Sequence, residues 1–249
     1  MTLAVIILTY NEEKHIGQAI QSAYKVTREV LIIDSGSTDN TVAIAKSNGA
    51  KVFFRPWDNH FGKQRNFAQD KTSANWLLHL DADERLSDEL AQSIKKACEG
   101  EMNKTFGFKR QNIAFGKKFK YGVFGPDKVI RLFPRNAGHW EGAVHERLVC
   151  PYPEIVLHGI LAHYTYDSLE HYYKKFENYT NLWAQNALDS GKRTSRMNAW
   201  VHAIFAYAKV AFLKKGILEG ALGLTTCKLH YQYTLTKYLK LYRLQNHKN

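Results

Sequence analysis

Three acidic side chains, Asp81, Asp83 and Glu84, follow a short apolar run at residues 76–80. The run predicts a strand buried on both faces, and carboxylates at its end are costly to bury unless a cation lies among them. Asp81 and Asp83 are two residues apart, so they project to one side of an extended segment. That arrangement favours a Mg²⁺ or Mn²⁺ that also holds a diphosphate. A solvated acidic turn before a helix capped by Ser87 explains the same residues, and the pattern alone leaves both interpretations open.

Polar loops also follow two earlier predicted strands. The sequence TYNEE begins at Thr9, after the strand at 4–8, and DSGSTD begins at Asp34, after the strand at 30–33. Asn11 is predicted to cap a helix with two glutamates in its first turn. Loops of this kind at corresponding strand ends indicate one shared site.

The elements around these loops alternate between strands and helices. Further strands are predicted at 51–54 and 76–80, and a helix at 59–69. This order is typical of an α/β fold with a mostly parallel sheet, which binds ligands beyond the carboxyl ends of its strands. Neither a phosphate-binding P-loop motif nor G-x-G-x-x-G follows the first strand, which disfavours P-loop NTPases and classical dinucleotide dehydrogenases.

The second half of the chain has a different pattern of predicted elements. Residues 108–119 predict short strands with a hairpin near Gly116, and 129–133 predict another strand. Glu141, His145, Glu146 and His163 then fall within reach of a cleft, although each alone is more often an ordinary polar residue. A helix is predicted at 167–188. The apolar segment 199–213 is too short to span a bilayer.

Net charge is concentrated at the end of the chain. The total is +12, and residues 192–249 contain 11 Lys or Arg and one acid, Glu219. A basic segment of this kind requires an anionic partner, and the basic, aromatic stretch 229–244 is typical of a helix at a membrane interface. Packing of that helix on the α/β core is the alternative. Three distant cysteines and the lack of a signal-peptide pattern predict a cytoplasmic protein. The basic C-terminal segment predicts that it lies on the inner face of the cytoplasmic membrane.

In order and spacing, TYNEE, DSGSTDNT and DADE resemble the GT-A glycosyltransferases of family 2, over roughly residues 1–135. RLFPRNAGHWEGAVHERL, HYTY and FLKKGILEGALGL resemble a narrower group, the bacterial enzymes that add a β-1,4-linked glucose to the inner-core heptose of lipopolysaccharide. The resemblance implies a Rossmann-like GT-A domain at 1–165 and a helical, basic-aromatic extension at 166–249 associated with the acceptor or membrane. It also implies a UDP-sugar donor, a divalent metal and a lipid A–core acceptor.

The resemblance assigns roles to matching positions. Residues expected in the nucleotide pocket are Thr9, Tyr10, Asn11, Glu12 (toward the ribose), Asp34 (toward the base), Ser37, Asp39, Lys63, Arg65 and Asn66. Asp83 is expected to ligate the metal directly, with Asp81 near the ribose and metal and His163 as a further candidate ligand. His145 or His163 is expected to assist at the diphosphate.

Transfer with inversion requires a carboxylate that accepts the proton of the attacking hydroxyl. We predict Glu146 as this base, with Glu141 as the alternative, although the Glu-Asp pair common in family 2 is absent here. Arg131 and Arg135 are candidate phosphate ligands, and surface salt bridges explain them equally well.

Two other functions compete with this one. A related transferase could build another surface glycan, such as a capsule, a lipooligosaccharide or a glycolipid. A nucleic-acid-binding protein would use the basic tail and show steep salt dependence, but it leaves the acidic strand ends without a purpose. We therefore expect no nucleic acid partner.

Overall fold

The computed structural model describes residues 1–143 and 146–246 and has two compact units. The first contains Met1–Gln111 and Asp127–His163, and the second contains Asn112–Pro126 and Tyr164–Asn249. The roles predicted for 1–165 and 166–249 stay predictions. The insertion of a short hairpin region into the second unit was not foreseen.

The first unit begins with alternating strands and helices. In chain order these are β1 (Leu3–Thr9), α1 (Ile16–Ala23), β2 (Val30–Asp34), α2 (Thr41–Ser47), β3 (Lys51–Phe54), α3 (Phe61–Gln69), β4 (Trp76–Asp81), β5 (Glu84–Leu86) and α4 (Asp88–Glu99). The later strands are β6 (Thr105–Ala114), β7 (Lys117–Lys118), β8 (Asp127–Pro134), β9 (His139–Glu141), β10 (Arg147–Val149) and β11 (Glu154–Tyr166). β6 and β11 each begin in the first unit and end in the second.

Nine strands form one sheet in the order β3-β2-β1-β4-β8-β6-β11-β5, with β7 paired to β6, while β9 and β10 form a separate ribbon. The four N-terminal strands β1–β4 pair in parallel, and β8, β7 and β5 pair antiparallel to their neighbours. The predicted α/β class with a C-terminal helical extension is confirmed, and the parallel pairs given above all lie among the N-terminal strands β1–β4.

Central strands of the sheet are buried on both faces because helices cover each side. Along β1, Val5 and Ile7 pack on the side of α1 and α4, and Ala4 and Ile6 pack on the opposite side. Alternation of this kind places successive side chains on opposite faces. Asp81 ends β4 two residues beyond His79 and is therefore on the same face as that histidine.

Two local predictions are corrected by the structure. Asn11 does not cap a helix, since α1 begins only at Ile16 after His15. Asn11 has a positive φ of 55°, and its side-chain oxygen accepts a hydrogen bond from the Thr38 amide instead. The solvated acidic turn that was one of the two interpretations of Asp81, Asp83 and Glu84 instead leads into a short strand, β5, whose Glu84 is buried. Ser87 caps α4 as predicted, and its hydroxyl accepts from the Leu90 amide at 3.2 Å.

The second unit is mostly helical. Its helices are α5 (Leu169–Asp189), α6 (Arg196–Ala208) and α7 (Gly220–Asn246), and a π-helical turn, Lys209–Leu213, continues α6. Leu241 of α7 packs with Ala184 and Leu188 of α5. The predicted interfacial helix thus lies within α7 and packs its apolar side on neighbouring helices. No helix of the described residues is both long and apolar enough to cross a membrane.

Candidate functional site

Strand register brings the three acidic loops to one edge of the sheet. Thr9 pairs with Asp34 across β1 and β2, and Leu8 pairs with Asp81 across β1 and β4. Because the three strands are parallel, their carboxyl ends and the loops that follow them meet there. The pairing of β1 with β2 and β4 therefore confirms the prediction that these loops lie at one edge of the sheet.

The first two loops are tied together by hydrogen bonds. The Asn11 amide donates to Ser37 Oγ at 2.9 Å, and the Glu12 amide donates to Thr41 Oγ1 at 2.8 Å. The Glu13 amide donates to Asp39 Oδ2 at 3.2 Å. Burial would raise the pKa of Asp39, but hydrogen bonds from the Thr41 side chain and amide outweigh it and lower that pKa. The carboxylate is thus kept ionised to brace the loop.

Asp34 shapes its own loop from a buried position. Its carboxylate accepts hydrogen bonds from the Gly36 amide at 3.0 Å and from the Ser37 amide at 3.1 Å. The positive φ of Gly36, 107°, allows this tight turn. Of the other predicted pocket residues, Thr9 is buried, whereas the side chain of Tyr10 is open to solvent.

A buried ion cluster lies at the end of β4. Arg65, from α3, donates from Nη2 to Asp81 Oδ1 at 2.9 Å and from Nε to Glu146 Oε1 at 3.0 Å. Arg131, from β8, donates to the other Asp81 oxygen and to Glu84 Oε1, the latter at 3.0 Å. The cluster therefore ties α3, β4 and β8 to Glu146, which lies just before β10.

Opposing effects act on the central carboxylate of this cluster. Burial would raise the pKa of Asp81, but the charges of Arg131 and Arg65 outweigh it and hold that pKa well below its ordinary value. Both carboxylate oxygens of Asp81 accept from a guanidinium group. A metal ion on Asp81 would therefore lie beside two arginine charges.

Arg131 is buried, with a side chain 7% exposed, so the interpretation of this residue as a surface salt bridge was wrong. Its partner Glu84 has a side chain 0% exposed and also accepts from Arg110 Nη1 at 3.3 Å and from the Asp81 amide at 2.9 Å. Sequence reasoning missed Arg110 altogether. These three partners satisfy the buried Glu84 carboxylate, as a buried charge requires.

Sequence reasoning also missed His79, which lies on the same face of β4 as Asp81. Its ring is fully buried, stacked on Phe133 with centroids 5.5 Å apart and edge-on to Trp140 at 5.2 Å. Burial, and after it the charge of Arg65, lowers the pKa of His79 well below its ordinary value. The ring is therefore neutral and fills space as an aromatic group.

Asp83 and His163 form a second, adjacent pair. His163 Nε2 lies 3.4 Å from Asp83 Oδ2, and both side chains are largely buried. Burial would lower the pKa of His163, but its hydrogen bond and charge interaction with Asp83 outweigh this and raise it. The antiparallel register of β11 on β5, with His163 opposite Glu84, brings the histidine here.

Whether a metal fits can be tested on this pair. Adjacent ligands of an ion with bonds of about 2.1 Å lie about 3 Å apart, close to the separation of Asp83 and His163. Within residues 1–143 and 146–246, no three His, Cys, Asp or Glu side chains are grouped to hold a metal. The pair therefore fits an ion that takes its remaining ligands from water and a substrate phosphate, and Asp81 does not complete a protein-only site.

Several predicted residues lie outside these clusters. Glu141, on β9, is half exposed and pairs with His139 and Arg147, each at 3.2 Å. Hydrogen bonds from these two side chains lower the pKa of Glu141. His145 lies outside the described residues.

Around α3, Asn66 and Lys63 have different surroundings. The Asn66 side chain makes two 2.8 Å hydrogen bonds with the Trp140 backbone, so its amide already anchors β9. Lys63 is exposed, with Nζ 3.7 Å from Asp58 Oδ2. Arg135 donates to the Ala74 carbonyl at 3.1 Å. Of these residues, Lys63 has the side chain that is open to a ligand.

Comparison with known proteins gives these loops a family. The model of the family described as glycosyl transferase family 2 matches residues 4–122, which include all three acidic loops. An uncharacterised glycosyltransferase of Rickettsia typhi is 28% identical over 98% of this chain and 86% of its own length. The lipopolysaccharide core biosynthesis glycosyltransferase LpsC of Rhizobium meliloti is 29% identical over 78% of this chain and 74% of its own length.

Among solved structures, glucosyl-3-phosphoglycerate synthase from Mycobacterium tuberculosis aligns over 78% of this chain and 81% of its own, with 17% identity and a TM-score of 0.47. A likeness at this level says nothing about ligands. Residues 4–122 thus match glycosyl transferase family 2, and the nearly full-length Rickettsia relative is itself named a glycosyltransferase.

Proposed function

We propose that the chain transfers a hexose, with inversion, from a UDP-sugar to the inner-core heptose of lipopolysaccharide. The observation that carries this proposal is the Asp83–His163 pair beside the Arg65–Asp81–Glu146 cluster, at the edge where the family's loops meet. The similarity to LpsC, whose name places it in lipopolysaccharide core biosynthesis, supports the acceptor class. Glucose is the proposed sugar, following the narrower resemblance of the sequence.

The nucleotide is proposed to lie over the braced loops after β1 and β2. Asn11 and Ser37 hold the two loops together, and Asp34 fixes the second, so the pocket is formed before the donor binds. Thr9, Tyr10, Glu12 and Asp39 belong to the same edge, with Glu12 toward the ribose. Lys63 supplies an exposed positive charge for the diphosphate. Arg65 and Asn66 act indirectly, because Arg65 holds Asp81 in place and Asn66 holds β9.

Asp83 and His163 are proposed to hold the divalent cation, with Asp81 behind them. A carboxylate and an imidazole are suitable ligands for Mn²⁺, and Mg²⁺ is also commonly bound through few protein groups plus substrate phosphates. A bound cation would neutralise the charge that develops on the departing diphosphate. The chain's own contribution is orientation, because two arginines hold Asp81 beside the Asp83–His163 pair.

Glu146 is proposed as the base that takes the proton from the acceptor hydroxyl. Its carboxylate and that of Asp81 are each within 3.0 Å of the same Arg65 nitrogen, so Glu146 lies at the strand-end edge. Glu141 is tied to His139 and Arg147 on the ribbon and lacks a contact of this kind among the described residues. The geometry therefore favours Glu146 for the role, with Arg65 orienting it.

Titration calorimetry with UDP, GDP, ADP and CMP, with and without Mn²⁺, tests the donor proposal. We expect UDP to bind in a metal-dependent manner and Asp83→Asn to lose this binding, while Asp70→Asn, an exposed matched control, retains it. Hydrolysis of UDP-glucose against UDP-galactose then identifies the sugar. Failure of well-folded protein to bind UDP at any metal concentration would contradict the proposal.

The acceptor and base are tested separately. Transfer to lipopolysaccharide with a truncated inner core is expected, with Glu146→Gln abolishing transfer but retaining UDP binding. Glu141→Gln is the matched comparison and is expected to remain active. Transfer only to another glycan would overturn the acceptor, and loss of activity in Glu141→Gln alone would reassign the base.

A further inference from the structure

The helix α6 is apolar on two opposite sides. Ala199 and Ala203, four residues apart, are fully buried within the second unit. Met197, Trp200, Val201, Ile204 and Phe205 are 47–72% exposed. Their spacing of three and four residues places them together on the side away from the two alanines. We call these five side chains the α6 face.

Apolar exposure continues in the segment that follows α6. The turn Lys209–Leu213 is π-helical and closes with a 2.9 Å hydrogen bond from the Lys214 amide to the Lys209 carbonyl. Phe212, Leu213 and Leu218 are 62–75% exposed. Bulky apolar groups are thus presented over both α6 and the turn after it.

Soluble proteins rarely leave so many neighbouring apolar side chains in water without a partner. Ala199 and Ala203 are fully buried, whereas the five side chains of the α6 face stay 47–72% exposed, although the Trp200 ring lies against Tyr231 of α7. An external apolar phase or surface is therefore indicated.

The exposed charges of α6 and of the segments that follow it in the chain have one sign. Arg196, Lys209, Lys214, Lys215 and Lys228 are all exposed. Glu219 is the one acid in the sequence from residue 192 onward.

The side chain of that single acid, Glu219, is buried. It pairs with Lys117 Nζ at 2.7 Å, and it accepts hydrogen bonds from the amides of Lys120 and Tyr121. Over residues 192–246, the surface as described presents no carboxylate side chain. An anionic partner that also takes up apolar groups fits this surface.

We propose that the α6 face and the turn after it insert into the interface of an anionic phospholipid bilayer. Aliphatic and aromatic side chains would enter the acyl boundary, and the flanking lysines would contact the head groups. A second copy of the chain would bring two strongly positive surfaces together, and nucleic acid would leave the aliphatic groups in water. The proposal concerns the second unit and does not depend on the donor or acceptor of the transferase.

This assigns the membrane surface to α6 and not to α7. Leu229, Tyr238 and Leu241 of α7 are buried in the second unit. A basic, aromatic composition is shared by both helices, but only α6 leaves a row of bulky apolar side chains uncovered.

Flotation of the full-length protein with vesicles tests the proposal. Vesicles of phosphatidylcholine with 30% phosphatidylglycerol and vesicles of phosphatidylcholine alone are the two probes. Ile204→Ser/Phe205→Ser is expected to weaken binding by at least about tenfold, because two large apolar groups no longer enter the lipid. The matched control Ile155→Ser/Val156→Ser alters exposed apolar residues of β11 and is expected to bind as the parent does.

The electrostatic part has its own pair of variants. Lys214→Gln/Lys215→Gln is expected to weaken binding to the anionic vesicles about 25-fold, since each basic residue near such a surface contributes about a fivefold factor. Lys95→Gln/Lys96→Gln, an exposed pair on α4, is expected to leave binding unchanged. Quenching of Trp200 fluorescence by brominated lipid, lost in Trp200→Phe, would place the α6 face in the bilayer.

Three results would overturn the proposal. The protein does not float with anionic vesicles, or the serine variant floats as well as the parent. Alternatively, sedimentation shows a dimer that Ile204→Ser/Phe205→Ser dissociates, which would make a second copy the occupant. Vesicle binding needs no sugar nucleotide, so its failure is distinguishable from failure of the transferase proposal.

Discussion

Removing Arg131 should leave the buried Glu84 carboxylate without one of its charged partners. The free energy of unfolding of the first unit should therefore fall substantially. The Arg131 side chain is 7% exposed and Glu84 is 0% exposed, so their 3.0 Å contact is shielded from water. Deleting one partner of a buried ion pair costs about 3–5 kcal/mol. In Arg131→Met, Glu84 keeps its longer bond to Arg110 and Asp81 keeps Arg65, so we expect the lower end, about 3 kcal/mol.

A double-mutant cycle separates this effect from loss of packing. Glu84→Gln in the Arg131→Met background removes the stranded charge, so the double variant should be more stable than the sum of the single losses by at least about 1 kcal/mol. Urea denaturation at pH 7, followed by circular dichroism, gives the free energy of unfolding. Arg147→Met is the matched control, because Arg147 is 77% exposed in its pair with Glu141 and its removal should leave the midpoint nearly unchanged.

The reasoning would be refuted in either of two ways. Arg131→Met could unfold within about 0.5 kcal/mol of the parent, which is the range of ordinary surface substitutions. The two single losses could also add without coupling, which would mean that Arg131 and Glu84 do not share a buried interaction. Reduced stability with strong coupling would establish the cluster as the frame that holds Asp81 in place.

Two further predictions concern stability. Burial, and after it the charge of Lys237, lowers the pKa of His230 to about 4. The unfolded state therefore takes up a proton first as pH falls, so stability is full above about pH 6.5 and declines between there and pH 4 by roughly 3 kcal/mol. His230→Gln should remove this slope in denaturation at stepped pH. Gly159→Ala would place Cβ against the Leu90 backbone at a φ of 108°, so the free energy of unfolding measured in urea should fall by more than about 2 kcal/mol. Gly191, also at positive φ, has open space around it, so Gly191→Ala should lower that free energy clearly less. Equal losses in the two variants would contradict the clash with Leu90.

Much of the first unit follows from the sequence. Apolar runs at 4–8, 30–33 and 76–80 each become a buried strand, because helices on both sides leave those segments no polar face. Parallel strands joined by helices must end at one edge, so the loops at Thr9, Asp34 and Asp81 meet without further information. The helix cap at Ser87 is equally local, since its hydroxyl bonds an amide three residues on.

Partners that are distant in sequence were settled only by tertiary structure. His163 meets Asp83 because β11 pairs antiparallel with β5, a three-residue strand too short to show a pattern of its own. Arg131 is buried because β8 pairs with β4 and carries it beside Asp81, whereas its sequence neighbours do not distinguish it from a surface arginine. Asn66 was assigned to the ligand but its amide is used by the Trp140 backbone, which lies 74 residues away.

The C-terminal helices show most clearly which features the sequence alone does not determine. The sequence predicted a membrane interface for residues 229–244, within α7, and for the apolar segment 199–213 only that it is too short to span a bilayer. Composition determines that the segment carries a strong positive charge. Which helix is left uncovered depends on which faces pack together, and the small residues Ala199 and Ala203 bury one side of α6 while leaving its bulky side chains in solvent. Burial is a property of the packed faces, so only the tertiary structure decides it.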